Sequence, residues 1–158
     1  MKTKIIIITL LLLTAATSFA QNDWFNKFSD HKDITQVTVT KALLRMAPAF
    51  TGSVNMNGIN IADVANKLDQ LDIFTTNKKA TSNMMRKEMT AFFNSNKSYE
   101  VLMRIKDEDT NVSFYSQKDG NFVKSLIMLV DSDDEYVIIR LLGEFTTEDI
   151  QSITGNKK

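Results

Sequence analysis

Four successive strand patterns in the second half of the chain constrain the fold most. In residues 99–105 an apolar side chain recurs at every second position, which is the pattern of a half-buried strand. Residues 111–116 form the next strand pattern, and the Asp119-Gly120 pair after it is a strong β-hairpin signal. Residues 126–130 and 136–142 follow as nearly continuous apolar runs. Short connections favour pairing between neighbouring strands, so these residues predict a four-strand antiparallel meander.

The first half of the chain alternates helix patterns with strand patterns. Apolar residues spaced by three and four predict helices at residues 23–28, 41–47, 60–71 and 81–94, and β-branched runs predict strands at residues 34–40 and 72–76. A last helix is predicted after the meander, at residues 146–153. This order predicts an α+β domain of two layers, in which helices pack on a mixed sheet that ends in a four-strand antiparallel meander. No internal repeat or Pro/Gly/Ser linker divides residues 21–158, so we expect them to form a single domain.

The first twenty residues have the pattern of a secretory signal peptide. Lys2 and Lys4 precede an apolar stretch at residues 5–13, and residues 18–20 form a small-x-small cleavage site before Gln21. The stretch is too short for a membrane span, which needs about 20 predominantly apolar residues. We therefore expect residues 1–20 to be removed and the rest to be exported, either to the periplasm or outside the cell. Because residue 21 is not Cys, a lipoprotein is not expected.

Charge and composition exclude several classes of protein. The 158 residues include 19 Lys and Arg against 19 Asp and Glu, and removal of Lys2 and Lys4 would leave 17 basic residues and a net charge of −2. Nucleic-acid binding proteins usually carry a basic excess, so no nucleic-acid partner is expected. The absence of Cys excludes a disulfide framework, a thiolate metal site and a Cys nucleophile. There is neither a Walker loop nor a Gly-x-Gly-x-x-Gly motif, and no cofactor is predicted.

Two acidic loops are the candidates for a metal site. One follows the first strand of the predicted meander and the other follows the third. Their carboxylates belong to Asp107, Glu108, Asp109, Asp131, Asp133, Asp134 and Glu135. Alternate loops of a meander lie at the same end of the sheet, so these side chains are expected to converge. Such oxygen ligands suit Ca²⁺, although the Gly and distal Glu of an EF-hand are absent. The alternative is a pair of solvated hairpin tips whose charges oppose aggregation.

The only histidine, His31, is the other candidate for chemistry. A Ser-His-Asp triad needs an exposed nucleophile, and no Gly-x-Ser-x-Gly elbow is present. The spacing of Ser29 and Lys32 matches penicillin-binding enzymes, but their Ser-Asp-Asn and Lys-Thr-Gly partners are absent. No catalytic residue is therefore assigned. A metal-dependent hydrolase that combines the acidic loops with His31 is the alternative function.

The last apolar run, residues 136–142, is apolar on both faces of its strand. Such a strand is either central and covered twice, or it exposes one face to a partner. The aromatic residues Trp24, Phe25 and Phe28 are one source of the second cover. The other interpretation makes them part of a docking patch. With no catalytic set, the chain is interpreted as a non-enzymatic binding module at the cell envelope, whose partner is an unknown protein or a second copy.

Several segments resemble one known family. They are Ile34 to Met46, Ile61 to Phe74, Tyr99 to Ile105, and Tyr136 to Phe145 with the following Thr146-Thr-Glu-Asp-Ile150. Their pattern is similar to that of the secreted Bacteroidota proteins grouped as domain of unknown function 4252, over most of residues 24–154. The resemblance implies a small exported domain from a Gram-negative bacterium of that group, and it supplies no catalytic residues. Some members of the family are lipoproteins, and Gln21 departs from them.

Overall fold

The computed structural model describes residues 23–46, 55–56, 59–60 and 65–153. Its elements, in chain order, are α1 (Asn26–Ser29), β1 (Thr35–Thr40), α2 (Lys41–Met46), β2 (Asn55–Met56), β3 (Ile59–Asn60), a 3-10 turn (Ala65–Lys67), β4 (Leu68–Thr76), α3 (Lys79–Ser95), β5 (Tyr99–Lys106), β6 (Thr110–Asp119), β7 (Phe122–Ser132), β8 (Tyr136–Phe145) and α4 (Thr147–Ile153). None of the helices in these ranges has the length and apolar character that crossing a bilayer requires.

Six strands form one sheet in the order β1-β4-β8-β7-β6-β5, and β2 pairs with β3 in a separate small ladder. The α+β class is confirmed, but the prediction of a mixed sheet is wrong, because every pair of neighbouring strands is antiparallel. Strands β5 to β8 do pair in chain order, and the sheet then continues through β4 to β1. Strand β8 is therefore central, which explains why it is apolar on both faces.

The helix predicted at residues 60–71 is also wrong in its second part, where the 3-10 turn leads directly into β4; residues 61–64 lie outside the described ranges. Leu68 and Leu71 suggested a helix because they are three residues apart. In a regular strand they would point to opposite faces. A β-bulge between Leu68 and Gln70 changes the alternation, and both leucines enter the same core cluster.

At two glycine positions, any other residue would strain the backbone or clash with a neighbouring atom. Gly120 has a φ of 59° in the turn between β6 and β7, as the Asp119-Gly120 hairpin signal predicted. A Cβ added to Gly143 would lie 2.2 Å from the carbonyl oxygen of Lys67. The absence of a side chain on Gly143 therefore lets β8 approach the start of β4 closely.

The core consists of two clusters, one on each face of the sheet. On one face, here called the helix face, residues of α3 and the N-terminal aromatic segment pack on β4, β7 and β8. On the opposite face, Leu44 of α2 and Ile150 of α4 join the strand residues Leu71, Met128 and Ile139. Helices therefore contact both faces, and the two-layer prediction is too simple. The aromatic cover is confirmed, because Phe25 and Phe28 are buried in the same cluster as Ile138.

A buried arginine fastens the N-terminal segment to the sheet. The guanidinium of Arg140 is 7% exposed and donates to Asp72 from Nε and Nη2, at 3.0 and 2.7 Å. It also donates from Nη1 to Asp23 at 2.8 Å, and lies 4.2 Å from the centre of the Phe25 ring. Asp72 accepts further hydrogen bonds from the Thr38 hydroxyl and the Gln70 amide. These contacts satisfy a buried charge that would otherwise be costly.

Candidate functional site

The position of α3 leaves part of the helix face uncovered. Residues 79–95 contain no Gly or Pro, and their apolar residues Met85, Met89 and Phe92 lie on the stripe that packs on Ile127 and Ile138. This contact holds the helix over β7 and β8. Strands β5 and β6 extend beyond it, so a cleft remains between the helix and the sheet on that side.

We call this space the basic cleft, and its volume is about 520 Å³. Its lining residues come from α3, the loop after it, β5, β6 and the facing parts of β7 and β8. They are Arg86, Met89, Thr90, Phe93, Asn94, Lys97, Tyr99, Val101, Arg104, Asn111, Ser113, Tyr115, Leu129, Asp131 and Tyr136. The Phe93 and Tyr115 rings stack at 3.8 Å between centroids, with an angle of 14° between their planes. The floor of the cleft is therefore apolar and aromatic, as in most ligand sites.

Tyr136 brings an unpartnered polar group to this floor. Its side chain is 2% exposed, and burial raises the pKa of its hydroxyl above the ordinary range, assisted by the nearby charge of Asp131. Among the described residues, the hydroxyl makes no hydrogen bond, and Ser116 Oγ is the one fully enclosed side-chain atom without a partner. The Tyr136 hydroxyl is thus not enclosed, and it meets the cleft that the side chain lines. A ligand there can give it the hydrogen bond that the protein does not.

The rim of the cleft carries excess positive charge. Arg86 is neutralised by Asp131, which accepts from its Nε at 2.8 Å and from its Nη2 at 2.6 Å. These hydrogen bonds raise the pKa of Arg86 above its ordinary value. Lys97 and Arg104 are both exposed, and neither has an ion-pair partner within the described part of the chain. The cleft thus presents two free cations to an incoming group.

The predicted acidic loops meet on the other side of the Arg86–Asp131 pair. A second cleft of about 750 Å³, here called the acidic cleft, is lined by carboxylates of both loops, those of Glu108, Asp109, Asp131, Asp133 and Asp134. The convergence predicted from the meander is therefore confirmed for these five side chains. Lys79 and Arg86 line the same cleft and offset part of the negative charge.

The remaining two carboxylates have local roles. Asp107 accepts from the backbone N–H of Glu108 at 2.8 Å, and Glu135 accepts from the Thr75 hydroxyl at 2.7 Å. Within residues 65–153 and the other described ranges, no three acidic or histidine side chains are close enough together to hold a metal ion. The structure thus adds no support for calcium binding at the acidic loops, which stays a prediction from sequence.

His31 is separate from both clefts. It lies between α1 and β1, and its Nδ1 accepts a hydrogen bond from the backbone N–H of Asp33 at 3.2 Å. It lines neither the basic nor the acidic cleft. The hydrolase hypothesis required His31 beside two or more of the carboxylates, and this arrangement is not present among the described residues.

Sequence reasoning missed the basic cleft altogether. Its two free cations, Lys97 and Arg104, stand on a connecting loop and on a strand, and Tyr136 comes from the far end of the chain. Because the order of strands in the sheet brings these residues together, no short sequence motif contains them all. The one available signal was the Tyr99 to Lys106 strand, where cations and apolar residues are mixed on a strand at the edge of the sheet.

Comparison with known proteins gives one match. No curated protein and no solved structure matches the chain. A family model, described as domain of unknown function (DUF4252), matches residues 28–153, a span that includes all six strands of the main sheet and both clefts. Because this span is well over half of the sequence, the chain belongs to that family, as its resemblance suggested.

Proposed function

We propose that the protein is an exported, non-enzymatic binding domain whose ligand occupies the basic cleft. The observation that carries the proposal is the Tyr136 hydroxyl, which is held on a buried ring, lacks a partner among the described residues and opens into this space. Because this hydroxyl is not enclosed, it can form a hydrogen bond with a ligand in the cleft, and no described protein group competes for it.

The lining of the cleft indicates the chemistry of the ligand. Lys97 and Arg104 attract a negative charge, and charge-assisted hydrogen bonds to a carboxylate or phosphate are the strongest that these residues make. The stacked rings of Phe93 and Tyr115 offer an apolar surface beside those charges. An anionic group next to an apolar or aromatic one fits both features.

Export is the other part of the proposal. It rests on the leader pattern of residues 1–20, which would place the domain in the periplasm or outside the cell. The ligand would then be met at the cell envelope. The cleft brings together no pair of a nucleophile and a base within hydrogen-bond distance among its described residues, and this favours binding over catalysis.

The test is a titration of the ¹⁵N-labelled protein with benzoate and with benzamide, followed by amide NMR. Benzoate combines a carboxylate with a ring, whereas benzamide has the same shape without charge. We expect benzoate to shift amides around the basic cleft with an affinity in the millimolar range, and benzamide to bind more weakly. The Lys97→Gln, Arg104→Gln double variant should weaken benzoate at least about fivefold, because the complementary charges are lost.

The matched control is Lys87→Gln, which removes an exposed charge from α3 at a residue that lines neither cleft. Its benzoate affinity should equal that of the unmodified protein. The proposal fails if benzoate shifts amides outside the cleft only. It also fails if the double variant binds benzoate as well as the control does.

A further inference from the structure

Strand β5 is a free edge of the sheet. It pairs with β6 on one side, and no described strand lies on its other side. Within the described ranges, six large hydrophobic residues are exposed, and three of them are on this strand: Val101, Leu102 and Ile105, at 46, 40 and 49%. An exposed, apolar edge strand carries unpaired backbone groups that are ready to pair with another strand.

The free edge runs along the basic cleft. Tyr99, Val101 and Arg104 of β5 line the cleft, and their cross-strand partners on β6 include Tyr115 and Ser113, which line it too. Side chains alternate between the two faces of a strand. A further strand paired to β5 would therefore extend the cleft wall and place every second side chain on the helix face, beside the cleft.

A β-bulge sets the length of the edge that such a strand can use. The register between β5 and β6 shifts between Val101 and Met103. A bulge bends its strand and interrupts regular pairing. The bulge divides the edge into two regular stretches, Tyr99 to Val101 and Met103 to Lys106, and the longer one contains two cations, Arg104 and Lys106.

The charges of this region select the incoming strand. Arg104 and Lys106 on β5 and Lys97 in the loop between α3 and β5 are exposed, and no ion pair joins any of them to another described residue. An acidic strand would neutralise these cations, whereas a second copy of the same edge would bring like charges together.

We infer that β5 is a strand-addition site for an extended acidic peptide segment of a partner protein. The main chain of the peptide pairs with Met103 to Lys106, and its alternate carboxylates lie over the basic cleft within reach of Lys97 and Arg104. This inference rests on the proposed function, since it names the class of ligand that the cleft receives.

The experiment uses three blocked octapeptides and the ¹⁵N-labelled protein. In the first peptide Glu alternates with Thr, in the second Lys replaces Glu, and the third is the Glu peptide methylated at every backbone nitrogen. Methylation keeps the carboxylates but removes all main-chain donors. We expect the Glu peptide to shift the cleft amides and to slow hydrogen exchange at Met103 to Lys106. The other two peptides should bind at least about tenfold more weakly.

The matched variants are Arg104→Glu and Lys87→Glu, which reverse an exposed charge on β5 and on α3 respectively. Arg104→Glu should weaken the Glu peptide at least about tenfold and make the Lys peptide the better ligand, whereas Lys87→Glu should change neither. Both positions are exposed, so the circular dichroism spectra and thermal melts of the variants should match those of the unmodified protein.

Three results would overturn the inference. If the methylated peptide binds as tightly as its parent, carboxylates occupy the cleft without strand addition, and the proposed function survives alone. If the β5 amides become more protected from hydrogen exchange as the protein concentration rises, in the absence of peptide, the edge pairs with a second copy of the chain. If neither the peptides nor benzoate bind, the proposed function and the inference both fail.

Discussion

The helix face of the sheet is closed on one side of α3 and open on the other. On the β4 side, Phe25, Phe28, Phe74 and Phe92 pack around one another with ring centroids 5.3–6.1 Å apart. On the β5 side, the basic cleft occupies the corresponding position. The same helix thus separates a region filled by the chain's own aromatic residues from one that the chain leaves empty.

The polar groups of the two regions differ in the same way. On the closed side, Arg140 is enclosed and binds both Asp72 and Asp23. On the open side, Lys97 and Arg104 bind no described carboxylate, and the Tyr136 hydroxyl has no described partner. The closed side therefore contributes stability, and the open side is available for a ligand. Substitutions should separate these two contributions.

The largest effect is expected from Arg140→Ala. This change leaves the carboxylate of Asp72 buried without its cation, and breaking a buried ion pair costs about 3–5 kcal/mol of unfolding free energy. Arg104→Ala, on the open side, should change that free energy by less than about 0.5 kcal/mol. Urea unfolding measures both variants. Equal losses would show that the two sides do not differ in stability.

A smaller effect is expected from Asp23→Asn, and it should depend on pH. Burial raises the pKa of Asp23, but hydrogen bonds from Arg140 and from the Phe25 amide outweigh burial and hold the pKa below its ordinary value. A carboxyl with a lowered native pKa adds stability above the pKa of the unfolded chain, and this stability is lost as the pH falls through the native pKa. Because the side chain is 36% exposed, the cost at neutral pH should be about 1 kcal/mol.

Urea unfolding of this variant at neutral pH and near pH 3 tests that dependence. The difference from the unmodified protein should shrink once the pH is below about 4, the ordinary pKa of Asp. Asp133→Asn is the control, because Asp133 is exposed and binds no described residue. A difference for Asp23→Asn that is the same at both pH values would contradict the role given to its charge.

The smallest changes in unfolding free energy are expected from two tyrosines that line the same cleft, Tyr99 and Tyr136. The Tyr99 hydroxyl is 2.9 Å from Ser125 Oγ, and burial raises its pKa. Tyr99→Phe removes this neutral hydrogen bond and should cost about 0.5–1 kcal/mol. Tyr136→Phe removes a hydroxyl without a described partner and should leave thermal and urea stability within about 0.5 kcal/mol, while weakening benzoate. A larger stability loss for Tyr136→Phe would mean that its hydroxyl serves the fold.

Sequence alone predicts those parts of the fold that depend on short-range patterns. The Asp119-Gly120 turn, the long α3 and the strands from β5 to β8 follow from local spacing, and the convergence of Asp109 with Asp133 follows from the meander. The direction of β1 and β4 depends instead on contacts with distant strands, so alternating helix and strand patterns misled the prediction of sheet type. At Leu68 the bulge produced a spacing that imitates a helix.

The basic cleft could not be predicted because it exists only where the single helix α3 is narrower than the six-strand sheet on which it packs. Helix α3 lies over β7 and β8 and reaches β6 and β5 only through its last aromatic residues, which contact Tyr115 and Tyr99. Its position is set by the contacts of Met85 and Met89 with Ile138 and its neighbours. Which strands remain uncovered depends on sheet order, and that order is not encoded in any local pattern near Arg104 or Lys97. The partnerless hydroxyl of Tyr136 is likewise a property of the assembled packing.

The link between Asp23 and Arg140 also has a consequence for how the chain folds. The two residues are separated by 117 positions, while β5 to β8 are joined by short turns. Local pairs form early because little loop entropy is lost, and distant pairs form late. The aromatic residues Trp24, Phe25 and Phe28 leave the ribosome before the strands of the sheet, yet the surface that receives them exists only after β8 has been made. Until then Trp24, Phe25 and Phe28 have no native cover, and a delay in completing the sheet exposes them to chaperones and to aggregation.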